Sequence, residues 1–533
     1  MTFRNIGLCN IIIVLVIAII GSHPWHFMML TAAQLVYVPL TLHLVMKSDN
    51  GYIPRYLSYL AIPAFTAVIF LQITTDTAWD TTFAVIYFLF TLFIAGYGFS
   101  RFLHRGSIHL EEFLIDIGLI YIAIGGAWFV AYEANMNTGF SPMMTWLTGI
   151  HFHYSAFLLP IFTGLLGRLY KSALYKLVGV VVIVSPIIVA LGITFSTVLE
   201  LISVVIYIIG IYGLIYISFK ASINWLNRVS FAALGVAIIF SLVYAFGNVT
   251  GLYTVTINFM LLFHGITNSV LFAAAGIIGW YIKLPFTRLK KPNFPVSQIR
   301  GKGIIGERIL AGRTDHKTYN GLVDDMSVYE GDINTDTLAP GIIDFYENTN
   351  KYRLIAEVKW RAWFKPFAAV YRLISRYVGQ INLPFSSKKV EMSGNIISVN
   401  DDADGRNEVR AWVRKINKET TFVALYSLHK EQGRSYMNIA LPLPFASMVG
   451  VLELNQHEEA LQLSSANKVN NTGIYLSFGK YLFRLPIEEK FYVEETEKGN
   501  LKAQHNMWFF SLPFLKINYN IHYQDLLSTN KCN

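Results

Sequence analysis

Apolar residues in the first 285 positions fall into ten runs of about twenty, covering 6–20, 25–46, 57–73, 79–98, 112–132, 144–166, 175–196, 199–219, 228–247 and 258–282. Polar residues collect between them. At a rise of about 1.5 Å per residue, most runs match a hydrocarbon core of roughly 30 Å, where only a helix satisfies its own backbone polar groups. Each run is read as a membrane-spanning helix. The first is short and has the composition of a signal peptide. Gly21-Ser22-His23-Pro24-Trp25 offers no good small-residue cleavage site, however, and nine spans follow, so it is read as a retained helix.

From about residue 296 to 533 no apolar run is long enough to span a bilayer, and the pattern becomes mainly β. Strands are expected at 394–399, 407–416, 421–428, 436–441, 448–454, 473–478 and 508–523, with Asp404-Gly405 as a hairpin signal. One helix is expected from Trp360 to Val378, where Trp363, Phe364, Phe367, Tyr371, Ile374 and Tyr377 recur at helical spacing among Arg361, Arg372 and Arg376. Such a helix either lies on the inner membrane surface or packs over the sheet with its Arg residues in solvent, and the sequence reading prefers the second. The expected fold is a polytopic α-helical bundle of about ten transmembrane helices followed by a β-rich, α+β cytoplasmic domain. The bundle occupies 1–285, a basic, proline-rich linker 286–295, and the β-rich domain 296–533.

Charge sets the orientation. Gaps holding Arg4, then Lys47 and Arg55, then Arg101 and Arg105, then Arg168, Lys171 and Lys176, then Lys220 and Arg228 alternate with gaps that hold Asp76, Asp80 and Glu133 and no Lys or Arg. Basic residues are retained on the cytoplasmic side, so both termini are expected inside a bacterial cell membrane. The net charge of +9 is mostly juxtamembrane, with fourteen Lys and Arg against eight Asp and Glu up to Lys291. That points to anionic lipid contacted by Lys283, Arg288, Lys290 and Lys291, and away from nucleic acid. Cys9 and Cys532 are the only cysteines, so neither a disulfide framework nor a thiolate metal site can be built within one protomer.

Polar groups inside the spans are the best pointers to function, because each is costly in hydrocarbon unless it faces protein or water. The sixth span reads Thr148-Gly149-Ile150-His151-Phe152-His153-Tyr154-Ser155, and the tenth Phe263-His264-Gly265-Ile266-Thr267-Asn268-Ser269. His151 and His264 both lie roughly 10 Å below the outer ends of their spans by helical rise, and Gln34 in the second span lies at similar depth. His151 shares a helix face with Thr148 and Ser155, and His264 with Asn268. His151 and His153 are about 200° apart on a regular helix, so His151 is the stronger site candidate. Three roles fit the cluster: a substrate or proton site of a transporter, a metal or haem site using His151 or His153 with His264, and a set of interhelical hydrogen bonds that lock the bundle. Asp116, Glu200, His26 and His43 lie near span ends and are read as solvated.

The soluble half shows little chemistry. Gly301-Lys302-Gly303-Ile304-Ile305-Gly306 matches a dinucleotide fingerprint but lacks the strand and helix it needs. Asn400 to Gly405 starts like a calcium loop, but Ala411 stands where a bidentate Glu is required, so a turn is expected. No resident cofactor is implied and nothing supports an enzyme.

Ten spans, the His-Phe-His-Tyr segment within Thr148 to Phe157, the Phe263 to Asn268 segment, and a tail with Asp404-Gly405-Arg406 and Tyr436-Met437-Asn438-Ile439-Ala440-Leu441-Pro442 resemble the YndJ-like membrane proteins of Bacillus and relatives. The resemblance implies a multi-pass bacterial membrane protein of a family sometimes labelled as transporters. It adds weight to His151, His153 and Tyr154 without assigning them roles. Two functional classes follow: a transport-related protein with a polar site around His151, His264 and Asn268, acting on a small molecule or ion, and a membrane-anchored sensory or envelope protein whose β-rich domain binds a partner. A His-ligated oxidoreductase is a third.

Overall fold

The computed structural model describes residues 2–20, 23–48, 55–74, 77–287, 292–315, 317–466, 471–479, 481–496 and 499–524. Asp76, Arg288, Lys290, Lys291 and Cys532, which the sequence reading invokes, lie outside them. The chain forms two compact units, one of residues 1–102 and 109–290 and the other of 103–108 and 291–533.

Among the described residues, the first unit holds ten helices long and apolar enough to cross a membrane: α1 (Phe3–Ile20), α2 (Phe27–Ser48), α3 (Tyr56–Ile73), α4 (Asp80–Arg105), α5 (Leu110–Glu133), α6 (Pro142–Gly167), α7 (Ala173–Phe195), α8 (Thr197–Lys220), α9 (Trp225–Thr250) and α10 (Ile257–Ile282). Each coincides with one of the ten apolar runs. Their outer faces expose Ile12, Phe195 and Ile209 by more than half, a surface that suits lipid and not water. Helices α2 and α6 form the centre, 78% and 83% buried against 28–50% for the other eight.

Three spans leave regular α geometry. Wider π turns occupy Ala33–Tyr37 in α2, Phe152–Leu158 in α6, and Met260–Gly265 and Thr267–Ala274 in α10. In α2 and α6 a proline follows at Pro39 or Pro160; proline lacks the N–H that would bond the carbonyl four residues back. Freed or distorted carbonyls must find partners within the bundle. The Asn10 amide donates to the Leu35 carbonyl (2.7 Å), Tyr37 to that of Ser269 (2.8 Å), and Ser230 to that of Phe272 (2.7 Å).

The second unit is a closed antiparallel barrel. Its strands are β1 (Tyr352–Trp360), β2 (Val390–Ser398), β3 (Arg410–Ile416), β4 (Glu419–Glu431), β5 (Arg434–Leu443), β6 (Ala446–His457), β7 (Ala460–Ser464), β8 (Gly473–Phe478), β9 (Tyr481–Arg484), β10 (Ile487–Glu495), β11 (Leu501–Phe509) and β12 (Leu512–Tyr523). Neighbours run β5-β4-β3-β2-β1-β12-β11-β10-β7-β6, and β6 closes the ring on β5; β8 pairs with the first half of β6 and carries β9. Alternation sends Trp412, Tyr426, Leu452, Val493 and Ile517 into one core. Helix α11 (Pro340–Glu347) joins that core through Ile342, Phe345 and Tyr346. The opposite faces of β3 to β6 meet Phe294, Ile299, Ile305 and Ile309 in a second core.

Segments expected as strands are strands, with one difference. The 508–523 segment is broken by Phe510 and Ser511, both at positive φ (48° and 64°), into the end of β11 and all of β12. The Asp404-Gly405 signal lies in the β2–β3 connection, as one helical turn over Asp401–Asp404 closed by Gly405 at φ 83°. Arg406 beside it is fully buried. It pairs with Asp404 (2.6 Å) and donates to both the carbonyl and the side-chain oxygen of Asn438 (3.0 Å each). The two tail segments that carry the family resemblance are therefore in direct contact.

Candidate functional site

The expected helix in the tail is α12 (Lys365–Val378), preceded by a 3₁₀ turn at Ala362–Phe364, because Trp360 is taken up by β1. It packs on the barrel through Ala368 and Ser375. Its aromatic face does not.

The cavity that concerns function lies in the helical unit and holds about 320 Å³. Helices α6 to α10 supply most of its wall, with Met29 from α2 and Trp128 from α5. The wall is mainly aliphatic and aromatic. Its polar members include Thr148, His151, Tyr154, Ser155, Glu200, Tyr207, Ser241, His264 and Asn268. The helix-face argument is thereby realised: Thr148, His151 and Ser155 reach one space from α6, and His264 and Asn268 reach it from α10.

His151 and His264 stand with ring centroids 6.3 Å apart. The Nδ1 of His151 lies 2.7 Å from the Leu147 carbonyl, and that of His264 lies 2.9 Å from the Ala237 carbonyl. A carbonyl only accepts, so Nδ1 carries the proton in each ring and the neutral imidazoles keep Nε2 as an acceptor. Asn268 Oδ1 is buried with no hydrogen-bond partner among the described residues, as is the Tyr207 hydroxyl. Glu200, 6% exposed, takes a hydrogen bond from the Asn248 amide (3.3 Å). Five groups able to accept a hydrogen bond therefore border one apolar space, one of them the carboxyl group of Glu200. The sequence reading set Glu200 aside as a solvated helix end; the structure buries it in the cavity wall. The Ser196 cap, which starts α8, puts Glu200 in its first turn.

The remaining candidates go elsewhere. His153 is fully buried away from the cavity. Its Nδ1 donates to the Gly149 carbonyl (2.8 Å), so Nε2 accepts from the Tyr87 hydroxyl (2.8 Å) and ties α6 to α4. That contact crosses α5 at Gly125, where an added Cβ would meet the His153 ring at 2.9 Å. Tyr154 touches the cavity, but its hydroxyl donates to the Met29 carbonyl (2.7 Å) and lies 3.0 Å from Ser269 Oγ, linking α2, α6 and α10. Gln34 is buried outside the cavity wall.

Asp116 is also corrected: it is wholly buried. Arg101 reaches Asp116 (2.6 Å) and Glu112 (3.2 Å), and Arg168 clasps Glu112 with two bonds of 2.8 Å. Lys171 pairs with Glu111. The Arg168 guanidinium also donates to the Pro285 carbonyl (3.1 Å). This ionic lattice joins α4, α5 and α6 at the ends that carry the basic residues. Its charges are paired with one another inside the bundle.

As to a metal, no three His, Cys, Asp or Glu side chains come together with ligating geometry among the described residues. The two facing imidazoles alone would remain for axial ligation.

The sequence profile of the YndJ-like proteins matches residues 28–272. The chain is similar to a protein of Bacillus subtilis strain 168 described as the uncharacterized membrane protein YndJ, 40% identical over 490 residues that cover 89% of this chain and 88% of that one. No solved structure matches.

Proposed function

We propose that this chain, which belongs to the YndJ-like family of membrane proteins, is a transport-related protein that takes a small amphipathic amine into the cavity bordered by His151, His264, Asn268 and Glu200. One observation carries the reading: an apolar space of about 320 Å³ is edged by hydrogen-bond acceptors and one carboxylate. An apolar body with an ammonium or amine head satisfies both parts of such a site. A neutral hydrocarbon would leave the acceptors desolvated, and an anion would face Glu200. One π turn of α10 contains His264 and that of α6 begins directly after His151, and irregular turns of this kind recur where helices carry function. Alternation of the basic gaps supports a bacterial cell membrane with both termini in the cytoplasm and the cavity in the outer half of the bundle.

Uptake of radiolabelled 2-phenylethylamine into proteoliposomes tests this. Wild-type protein should accumulate the label above protein-free vesicles, and Glu200→Gln and His151→Ala/His264→Ala should lose most of that uptake while keeping the wild-type melting temperature. Equal uptake in all three would sink the reading. If melting falls together with uptake, the histidines are interhelical locks. A second reading rests on the Nδ1-to-carbonyl bonds, which are also how haem-ligating imidazoles are held. A Soret band in the purified protein that His264→Ala abolishes would replace the first reading by that one.

A further inference from the structure

Helix α12 presents its most apolar side to the outside of the molecule. Phe367 (62%), Val370 (63%), Leu373 (78%), Ile374 (55%) and Tyr377 (72%) are exposed, whereas the side fixed to the barrel is made of the small residues Ala368 (4%) and Ser375 (1%). Placed at 100° per residue, the exposed apolar arc lies nearly opposite Ala368 and Ser375, with Lys365, Arg372 and Arg376 along one edge. At its start, Trp363 donates to the Pro513 carbonyl (2.9 Å), which brings the exposed Phe510 (56%) and Leu512 (57%) of the β11–β12 turn alongside.

A soluble domain does not leave such a face to water without a partner. Charge selects the partner. From Glu357 to Glu391 the chain has no acidic residue between and seven basic ones. Arg376 reaches Glu419 (3.1 Å), but that pair is solvent-exposed on both sides and holds it weakly. Two copies meeting through this face would bring their basic edges together, and an ordinary protein groove would have to supply the compensating anions. An anionic lipid surface supplies both a hydrocarbon boundary for Phe367, Leu373 and Tyr377 and phosphates for Lys365, Arg372 and Arg376.

We infer that α12, together with the β11–β12 turn, is a membrane-surface anchor that holds the β-barrel domain against anionic phospholipid. The domain follows the last span in the same chain, so lipid is always at high local concentration. Even a modest affinity suffices. The preference for solvent-facing Arg residues drawn from the sequence is therefore only half of the arrangement, because the aromatic face is uncovered as well.

The test uses the full-length protein with Cys9 and Cys532 replaced by Ser, carrying a single bimane-labelled cysteine at Phe367→Cys or Leu373→Cys. The control is Glu458→Cys, in the β6–β7 turn at the barrel's other end by strand register. Each is reconstituted in nanodiscs of phosphatidylcholine with or without one-third phosphatidylglycerol, and quenched by brominated lipid or by aqueous iodide. Both α12 labels should be quenched at least twofold by brominated lipid in the phosphatidylglycerol discs, with iodide quenching reduced in parallel. The effect should fade in phosphatidylcholine alone and in an Arg372→Glu/Arg376→Glu background, and Glu458→Cys should report only iodide. Labels at Phe367 and Leu373 that stay open to iodide in every disc overturn the inference. So does quenching that is absent while α12 cysteines cross-link between two copies, which would assign the face to self-association. Unchanged melting curves of the labelled variants exclude misfolding as the cause.

Discussion

Single side chains divide the polar residues of the spans into those that lock and those that line. Glu112 is the clearest lock, held by Arg101 and by two bonds from Arg168 while only 1% exposed. Removing its charge takes away the carboxylate that Arg168 clasps with two bonds and one of the two that Arg101 reaches, so Glu112→Gln should cost about 3 kcal/mol and lower the melting temperature, measured in detergent. Tyr87→Phe should cost only about 1 kcal/mol, because one neutral hydrogen bond to His153 is lost, and it should leave amine uptake intact. In the barrel, His429 is buried between Tyr436 and Phe294, and neither ring nitrogen has a hydrogen-bond partner among the described residues. Burial, reinforced by the nearby Arg406, pulls its pKa down to about 4. Below about 6.5 the unfolded chain takes up a proton that the folded domain refuses until about 4, so this residue makes the barrel lose stability as pH falls through that window. Melting curves at pH 7.5 and 5 should show a smaller loss for His429→Phe than for wild type. Of the cavity residues, His151, His264 and Asn268 were legible in the sequence because helical spacing put them on the right faces. Glu200 was not, because a carboxylate near a span end reads as solvated until its neighbours are known. His153 faces away from the cavity, as its angle to His151 implies, but its contacts with Gly125 and Tyr87 on other helices are ones no local pattern reveals.

Elements show the same division. The ten spans were legible to within a few residues because a twenty-residue apolar run has one stable form in hydrocarbon. Their π turns were not, since nothing in local composition marks them apart from a proline, and α10 lacks even that. In α2 the account is specific: Pro39 leaves the Leu35 carbonyl without its helical donor, and Asn10 replaces it. A double-mutant cycle should show this. Asn10→Ala should destabilise the wild type by about 1 kcal/mol and the Pro39→Ala variant by much less, since the new backbone N–H competes for the same carbonyl. Among the strands, β3 to β6 send successive side chains into two apolar cores, so they are buried on both faces and their middles read as nearly continuous apolar runs. β10, with Glu488, Glu489, Lys490, Glu494 and Glu495 in nine residues, showed no such signal, and its place is set by pairing with β11 and β7.

Across the molecule, the two halves obey different solvents. The helical unit turns apolar side chains outward and gathers its ionic pairs within the bundle, while the barrel closes β6 on β5 and leaves an aromatic, basic helix uncovered. The family relation agrees with a membrane protein throughout and leaves the chemistry to the cavity. Equilibrium binding of 2-phenylethylamine to the purified protein, measured calorimetrically beside its neutral counterpart 2-phenylethanol, is the most direct measurement of that chemistry. The account predicts that the amine binds the wild type at least tenfold more tightly than the alcohol, and that Glu200→Gln removes the difference without changing affinity for the alcohol. Equal affinity for the two compounds, or an amine affinity unmoved by Glu200→Gln, would contradict it.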